Sequence, residues 1–181
     1  FAYEVGHIMK SGLERMYGTS EEHPLGEDVI YYLTVYNEPV PQPAEPEDVD
    51  VEGILKGIHR VSTAPGDGPR VQLMASGVGF PWVDRAAAML AEDWGVQADT
   101  WSVTSWNELA RDALAAEEWN LLNPGDTPRT AYVADTLAVA DGPFVAVSDY
   151  MSAVPMQIAR WVPGDYCVLG ADGFGFADTR P

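Results

Sequence analysis

The chain is poor in cysteine, in histidine and in positive charge, and each shortage removes a class of function. One cysteine, Cys167, excludes an internal disulfide and any cysteine-cluster metal site. Its flanks, Tyr166, Val168 and Leu169, predict a buried strand position and an inert thiol. The three histidines, His7, His23 and His59, are scattered over a predicted helix, a loop and a connector edge, and no HExxH or G-x-S-x-G motif is present. Ten Lys and Arg stand against 28 Asp and Glu, a net charge of −18, which argues against nucleic acid and against an anionic membrane surface as partners. No apolar run approaches a membrane span and no secretory signal opens the chain, so the simplest compartment is the cytoplasm. What is plentiful is apolar: 46% hydrophobic residues and six Trp indicate a real core within 181 residues.

The most informative stretch is 70–104, RVQLMASGVGFPWVDRAAAMLAEDWGVQADTWSVT. Val71, Leu73 and Ala75 form a short apolar strand ending at Ser76-Gly77-Val78-Gly79. Pro81 is tolerated in a first helical turn; Val83, Ala87, Leu90 and Trp94 recur at helical spacing; Gly95 closes the helix. Ala98, Thr100, Trp101 and Val103 resume an extended pattern. A strand, helix, strand unit of this kind makes a crossover between parallel strands, so the fold class is α/β. The glycine turn invites a nucleotide-binding reading. Two glycines without the third, and without the Lys-Ser/Thr of a phosphate loop, favour a plain tight turn instead.

Along the rest of the chain, residues 1–18 read as a helix with Val5, Ile8, Met9 and Met16 on one face, Gly12 at a close-packing point, and His7 a structural residue. Glu21 and Glu22 beside His23 belong to an acidic surface loop, and 29–36 (VIYYLTVY) read as a strand covered on both faces. Residues 38–50 hold four prolines and five acids, a stiff connector and the best domain boundary; Glu38 beside Asn37 reads as a linker contact. Val51, Ile54, Leu55 and Ile58 suggest a short helix, and residues 60–63 an edge hairpin with 70–75. Ser105 to Glu108 matches a capping box that starts a helix to about Glu118, with Leu109, Ala110, Ala113 and Leu114 inward. Residues 131–140 are ambiguous between helix and strand, with helix favoured; 144–147 is a strand, 154–161 a helix and 166–169 the last strand. Trp94, Trp101 and Trp161 are expected to be mostly buried. Asp149 and Asp172 follow strand ends, where α/β folds keep their sites, but caps and loop staples account for them more simply.

Residues 3–18, 29–46, 52–60, 102–112, 117–122 and 157–175 together resemble one family. The joint occurrence of S-V-T-S-W-N-E-L, V-P-G-D and D-G-F-G is similar to the carboxy-terminal part of the homodimeric pyruvate dehydrogenase E1 component in its actinobacterial form. Ala171, Ala177 and Thr130-Ala131 depart from the family's usual Thr, Ser and Val-Pro, which leaves room for a specialised paralogue.

The resemblance implies a transketolase-like architecture. Residues 1–38 would be the last helix and strand of a pyrimidine-binding domain, and 39–50 the connector. Residues 51–181 would be a transketolase-like carboxy-terminal domain, truncated at its end, with a mixed, mostly parallel sheet and helices on both faces. It implies thiamine diphosphate and Mg²⁺ in the full-length enzyme, bound by domains upstream of Phe1, so no catalytic, cofactor-binding or metal residue is carried over to this chain. The implied partners are the remaining E1 domains, a second E1 subunit and a lipoyl-bearing E2 component. A subunit of a split transketolase-like enzyme with another substrate, and a non-enzymatic assembly module, are the alternatives.

Overall fold

A computed structural model describes residues 1–19, 23–36 and 39–173. Glu21, Glu22, Asn37, Glu38, Ala177 and the Phe174-Gly175 end of the D-G-F-G motif lie outside these. The chain divides into two compact units, 1–55 and 56–181, and the expected connector at 39–50 falls inside the first.

The first unit is built on α1 (Ala2–Tyr17). Gly12 is buried because a Cβ there would lie 3.2 Å from the Tyr31 ring. Arg15 fixes the same approach, its Nη1 donating to the Tyr31 hydroxyl at 2.9 Å and its Nε to Glu27 at 2.9 Å. The strand expected at 29–36 does not form among the described residues. Nor is it covered on both faces, since Ile30 is 95% and Tyr32 88% exposed. A strand exists only as part of a ladder, and β-propensity supplies no partner. Helix α2 (Val51–Lys56) follows, its start held by the Asp50 carboxylate accepting from Gly53 N at 2.8 Å.

The second unit is a five-stranded sheet in the order β1-β3-β2-β4-β5. Its strands are β1 (His59–Ser62), β2 (Arg70–Ala75), β3 (Gln97–Ser102), β4 (Phe144–Val147) and β5 (Tyr166–Leu169). Only β1 is antiparallel; the other pairings are parallel, with Met74 opposite Trp101 and Ala146. This is the mixed, mostly parallel α/β sheet expected from the sequence. The expected 60–63 hairpin with β2 is corrected: β1 pairs with β3. Both edges of β2 are taken by β3 and β4, so β1 docks one strand further out. The 63–69 loop is pinned across β3 by Ala64 N donating to Asp99 at 2.9 Å and Gly66 N to Gln97 at 3.2 Å.

Two helical layers cover the sheet. Helix α3 (Phe80–Trp94) packs on β2 and β3, on the face of Val71, Leu73 and Ala75, burying Phe80 and Val83. On the other face, α4 (Trp106–Leu122), α5 (Tyr132–Leu137) and a 3₁₀ helix (Pro155–Trp161) enclose the main core. There Leu109, Val133, Leu137 and Ile158 meet Met74, Trp101 and Phe144. Ser105 caps α4, its Oγ accepting from Glu108 N at 3.1 Å, and Asp112 caps α5 by accepting from Tyr132 N at 2.7 Å. The ambiguous 131–140 stretch is thus a short helix, while 154–161 tightens to 3₁₀.

Four burial expectations are corrected. Trp94 is 77% exposed because the last turn of α3 outruns the sheet, and helical spacing does not say where the sheet ends. Trp161 is half-buried, its indole N–H donating to Glu117 at 2.9 Å. Leu114 is 54% exposed, at the border of the Leu109-Ala110-Ala113 stripe. Cys167 is exposed. It lies on an edge strand whose Tyr166 and Val168 pack on the core while Cys167 and Leu169 point to the other face, where α3 covers β2 and β3 instead.

Candidate functional site

Strand order reverses between β2 and β4: from β2 the chain passes to β3 on one side, then returns to β4 on the other. Open α/β sheets hold ligands in the crevice outside the carboxyl ends of strands at such a point. Here that crevice is flanked by the turn after β2, Ser76 to Gly79, and by Ser148 and Asp149 after β4.

The turn is a single 3₁₀ turn, Gly77–Gly79, closed by Gly79 N donating to Ser76 O at 3.1 Å. Gly77 has φ of +51°, a left-handed conformation that costs any other side chain energy. A Cβ at Gly79 would meet Ala75 and Val147 only at ordinary contact distance, 3.6 Å. The Ser76 hydroxyl accepts from the Trp106 indole at 3.4 Å. Residues 76–83 contain no Lys or Arg. The glycines therefore serve the strand-to-helix turn.

On the β4 side, Ser148 is buried; its N donates to Leu169 O at 3.0 Å and its Oγ accepts from Tyr150 N at 3.1 Å. Asp172 accepts from Ser152 N at 2.7 Å, and this bond holds its carboxyl below the ordinary carboxylate range. Gly170 permits the approach, since a Cβ there would lie 2.3 Å from Ser152 N. Asp172 is thus a staple between the 148–152 and 170–172 loops. Asp149 opens the first of these loops. The two strand-end aspartates are brought to the same end of the sheet, but Asp172 is committed to a backbone amide.

The histidines are not brought together. His59 is buried in β1, and His7 bonds Glu45 at 2.7 Å in the first unit. Among the described residues no three His, Cys, Asp or Glu side chains are grouped to hold a metal ion, and no helix is long and apolar enough to cross a membrane.

Two polar features escaped the sequence pattern. One is a buried chain in the sheet linking Arg70, Asp99, Gln72 and Trp101. Its side chains are engaged with one another inside the sheet, and its role is structural. The other is an open cavity of about 230 Å³ between α4, α5 and Trp161, with Arg129 at its rim. Alanines at helical spacing gave no sign of it.

Comparison with known proteins gives this geometry a family. The chain is similar to the pyruvate dehydrogenase E1 component of Corynebacterium glutamicum, 54% identical over all of this chain and 19% of that protein. Against the same component of Mycolicibacterium smegmatis it is 55% identical, again over the whole chain and 19% of the relative. Against that of Escherichia coli K12 it is 48% identical, over 99% of this chain and 20% of the relative. The chain thus spans about a fifth of the length of these curated relatives. Among solved structures, a Pichia stipitis transketolase in complex with sedoheptulose-7-phosphate superposes with a TM-score of 0.41 at 20% identity, covering 72% of this chain and 16% of that one. The family model of the transketolase-like TK C-terminal domain matches residues 57–181, and by that match the chain belongs to the transketolase-like C-terminal domain family.

Proposed function

We propose that this chain is the carboxy-terminal segment of a pyruvate dehydrogenase E1 component. The whole protein would decarboxylate pyruvate with thiamine diphosphate and acetylate the lipoyl group of a partner in the cytoplasm. The observation that carries the reading is similarity at 54% identity across the full chain to a protein of that name. Residues 1–38 then belong to the end of a pyrimidine-binding domain, and 39–50 to the connector. The exposed Ile30, Tyr32 and Val35 support this, because they need a neighbouring sheet that the described residues do not supply.

The segment's role is mechanical. It buttresses the remaining E1 domains and the second subunit, and it contributes no catalytic, cofactor or metal residue. Thiamine diphosphate is held through Mg²⁺ by oxygen ligands; the reading that these lie on other domains is supported by the crevice turn, whose residues 76–83 include no Lys or Arg. The cofactor supplies a carbanion when bound, on domains other than this one.

Calorimetry of the 181-residue chain with thiamine diphosphate and Mg²⁺ tests the division of labour. No heat at micromolar ligand is expected; micromolar binding would overturn it. The activity is tested on the whole protein, as pyruvate-dependent acetylation of an isolated lipoyl domain. A whole protein that leaves the lipoyl domain unmodified but turns over another 2-oxo acid or a ketose would favour a different transketolase-like enzyme. One that lacks a diphosphate motif altogether would favour an assembly module.

A further inference from the structure

The geometry points to a peptide-docking site at the cavity between α4 and α5, taking an acidic side chain next to a small aliphatic one. The floor is apolar and shallow, made by Ala113, Ala116, Ala131 and Ala134. At about 230 Å³ it falls below the roughly 300–1,000 Å³ of pockets that enclose drug-sized ligands. A single aliphatic side chain is the occupant that such a floor suits.

The rim selects charge. Glu117 is already satisfied, by the Arg160 guanidinium and by the Trp161 indole N–H at 2.9 Å. The rim therefore offers no open acceptor for a cation. In this unit Arg70 pairs with Asp99, Arg111 with Glu108 and Arg160 with Glu117. Arg129, like Arg60 and Arg85, has no carboxylate partner among the described residues, and of these three it is the one at the rim of the cavity. Its guanidinium lies 4.2 Å over the Trp119 ring instead. Stacking on an aromatic face leaves the N–H edge of a guanidinium free for a planar, bidentate acceptor.

The arginine is also held in place before any ligand arrives. Asn120 clamps its backbone from both sides, accepting from Arg129 N at 2.7 Å and donating to Arg129 O at 2.8 Å. Asn120 belongs to α4, so the clamp ties the Arg129 loop to that helix and docking would not have to order it, a saving that raises affinity. An unpaired, pre-positioned arginine beside a methyl-lined floor reads a carboxylate with an aliphatic neighbour.

The probe pair acetyl-Leu-Glu-amide and acetyl-Leu-Gln-amide tests this on the 181-residue chain, with the indole N–H resonances of Trp119 and Trp161 as reporters. The Glu probe should shift both with a Kd on the order of 1 mM, and the Gln probe should bind about tenfold more weakly. Arg129→Gln should erase the difference, and Arg129→Lys should keep only part of it, because the fork is lost and the charge is not. Arg129 is exposed, and the thermal melt of each variant controls for folding. If Arg129→Gln does not fold, the probe pair on the parent chain decides alone. Equal binding of the two probes overturns the proposal, as does the absence of any shift at either indole. Arginine-dependent binding of inorganic phosphate in place of the Glu probe would identify an oxyanion site and overturn it equally.

Discussion

The indole Nε1 of Trp101 donates a 2.7 Å hydrogen bond to Oε1 of Gln72, across two neighbouring parallel strands, with both side chains almost wholly buried. The amide end of Gln72 turns the other way, donating to Asp99 at 3.2 Å and to Asp141 O at 2.9 Å. Every polar atom of this glutamine is thereby used inside the sheet. Replacing it with leucine keeps the volume but leaves the indole N–H, the carboxylate and the carbonyl with fewer partners. Gln72→Leu should cost about 2 kcal/mol, mostly as the desolvation of groups left behind. Urea unfolding should show a lower midpoint at unchanged slope, and an unchanged midpoint would contradict the accounting.

Asp99 is the charged member of the same chain. It is 3% exposed and meets Arg70, Gln72 and the Ala64 amide. Asp99→Ala leaves a largely buried guanidinium without its carboxylate, with only the Ala64 and Gly66 carbonyls to accept from it, and should cost roughly 3 kcal/mol. Arg111→Ala removes an exposed pair with Glu108 on the same helical face and should cost no more than about 0.5 kcal/mol. Comparable losses for the two variants would show that burial does not set the worth of these pairs.

The crevice turn gives a test of backbone conformation. Gly77→Ala places a Cβ on a residue with φ of +51° and should cost about 1 kcal/mol. Gly79→Ala meets its neighbours at 3.6 Å without a positive φ and should stay within about 0.5 kcal/mol. Denaturant titration of both variants separates them, and the reverse ranking would mean that close approach, not φ, fixes the glycines of this turn.

Alkaline pH should act through Tyr166. Its hydroxyl donates to Pro155 O at 3.0 Å, and burial against the core raises its pKa well above the ordinary phenol value of 10.0. The unfolded chain therefore releases this proton first. Stability from the group is complete below pH of about 10 and falls as pH rises through and beyond that value. Tyr166→Phe removes the ionisable hydroxyl, so its unfolding free energy should decline less steeply than that of the parent chain over the same range. Parallel declines would place the alkaline sensitivity in other groups.

The period of apolar residues was enough to place β2, α3 and β3, because strand, turn and helix there each carry local signals that agree. Ser105 announced the start of α4 for the same reason: a cap is a contact within one turn, and its residues are adjacent in the sequence. The likeness of whole stretches to one family was also legible, since it depends on residue order alone.

Other features are set by which surfaces meet. Residues 29–36 have every local preference for a strand, yet form no strand ladder among the described residues, because a ladder needs a second chain segment that propensity does not name. Cys167 sits in an apolar run and Trp94 at the end of a helical apolar spacing, yet both are exposed, since an edge strand and the end of a helix each leave one side outside the packed layers. Arg129 is one basic residue in an acidic chain until the Trp119 ring and the Asn120 amide fix it beside the alanine floor. The sequence by itself determined most elements of the second unit, the α/β class and the family, because those rest on local periodicity and residue order. The tertiary structure decided strand pairing, exposure and the cavity, because those depend on contacts between residues far apart in the chain.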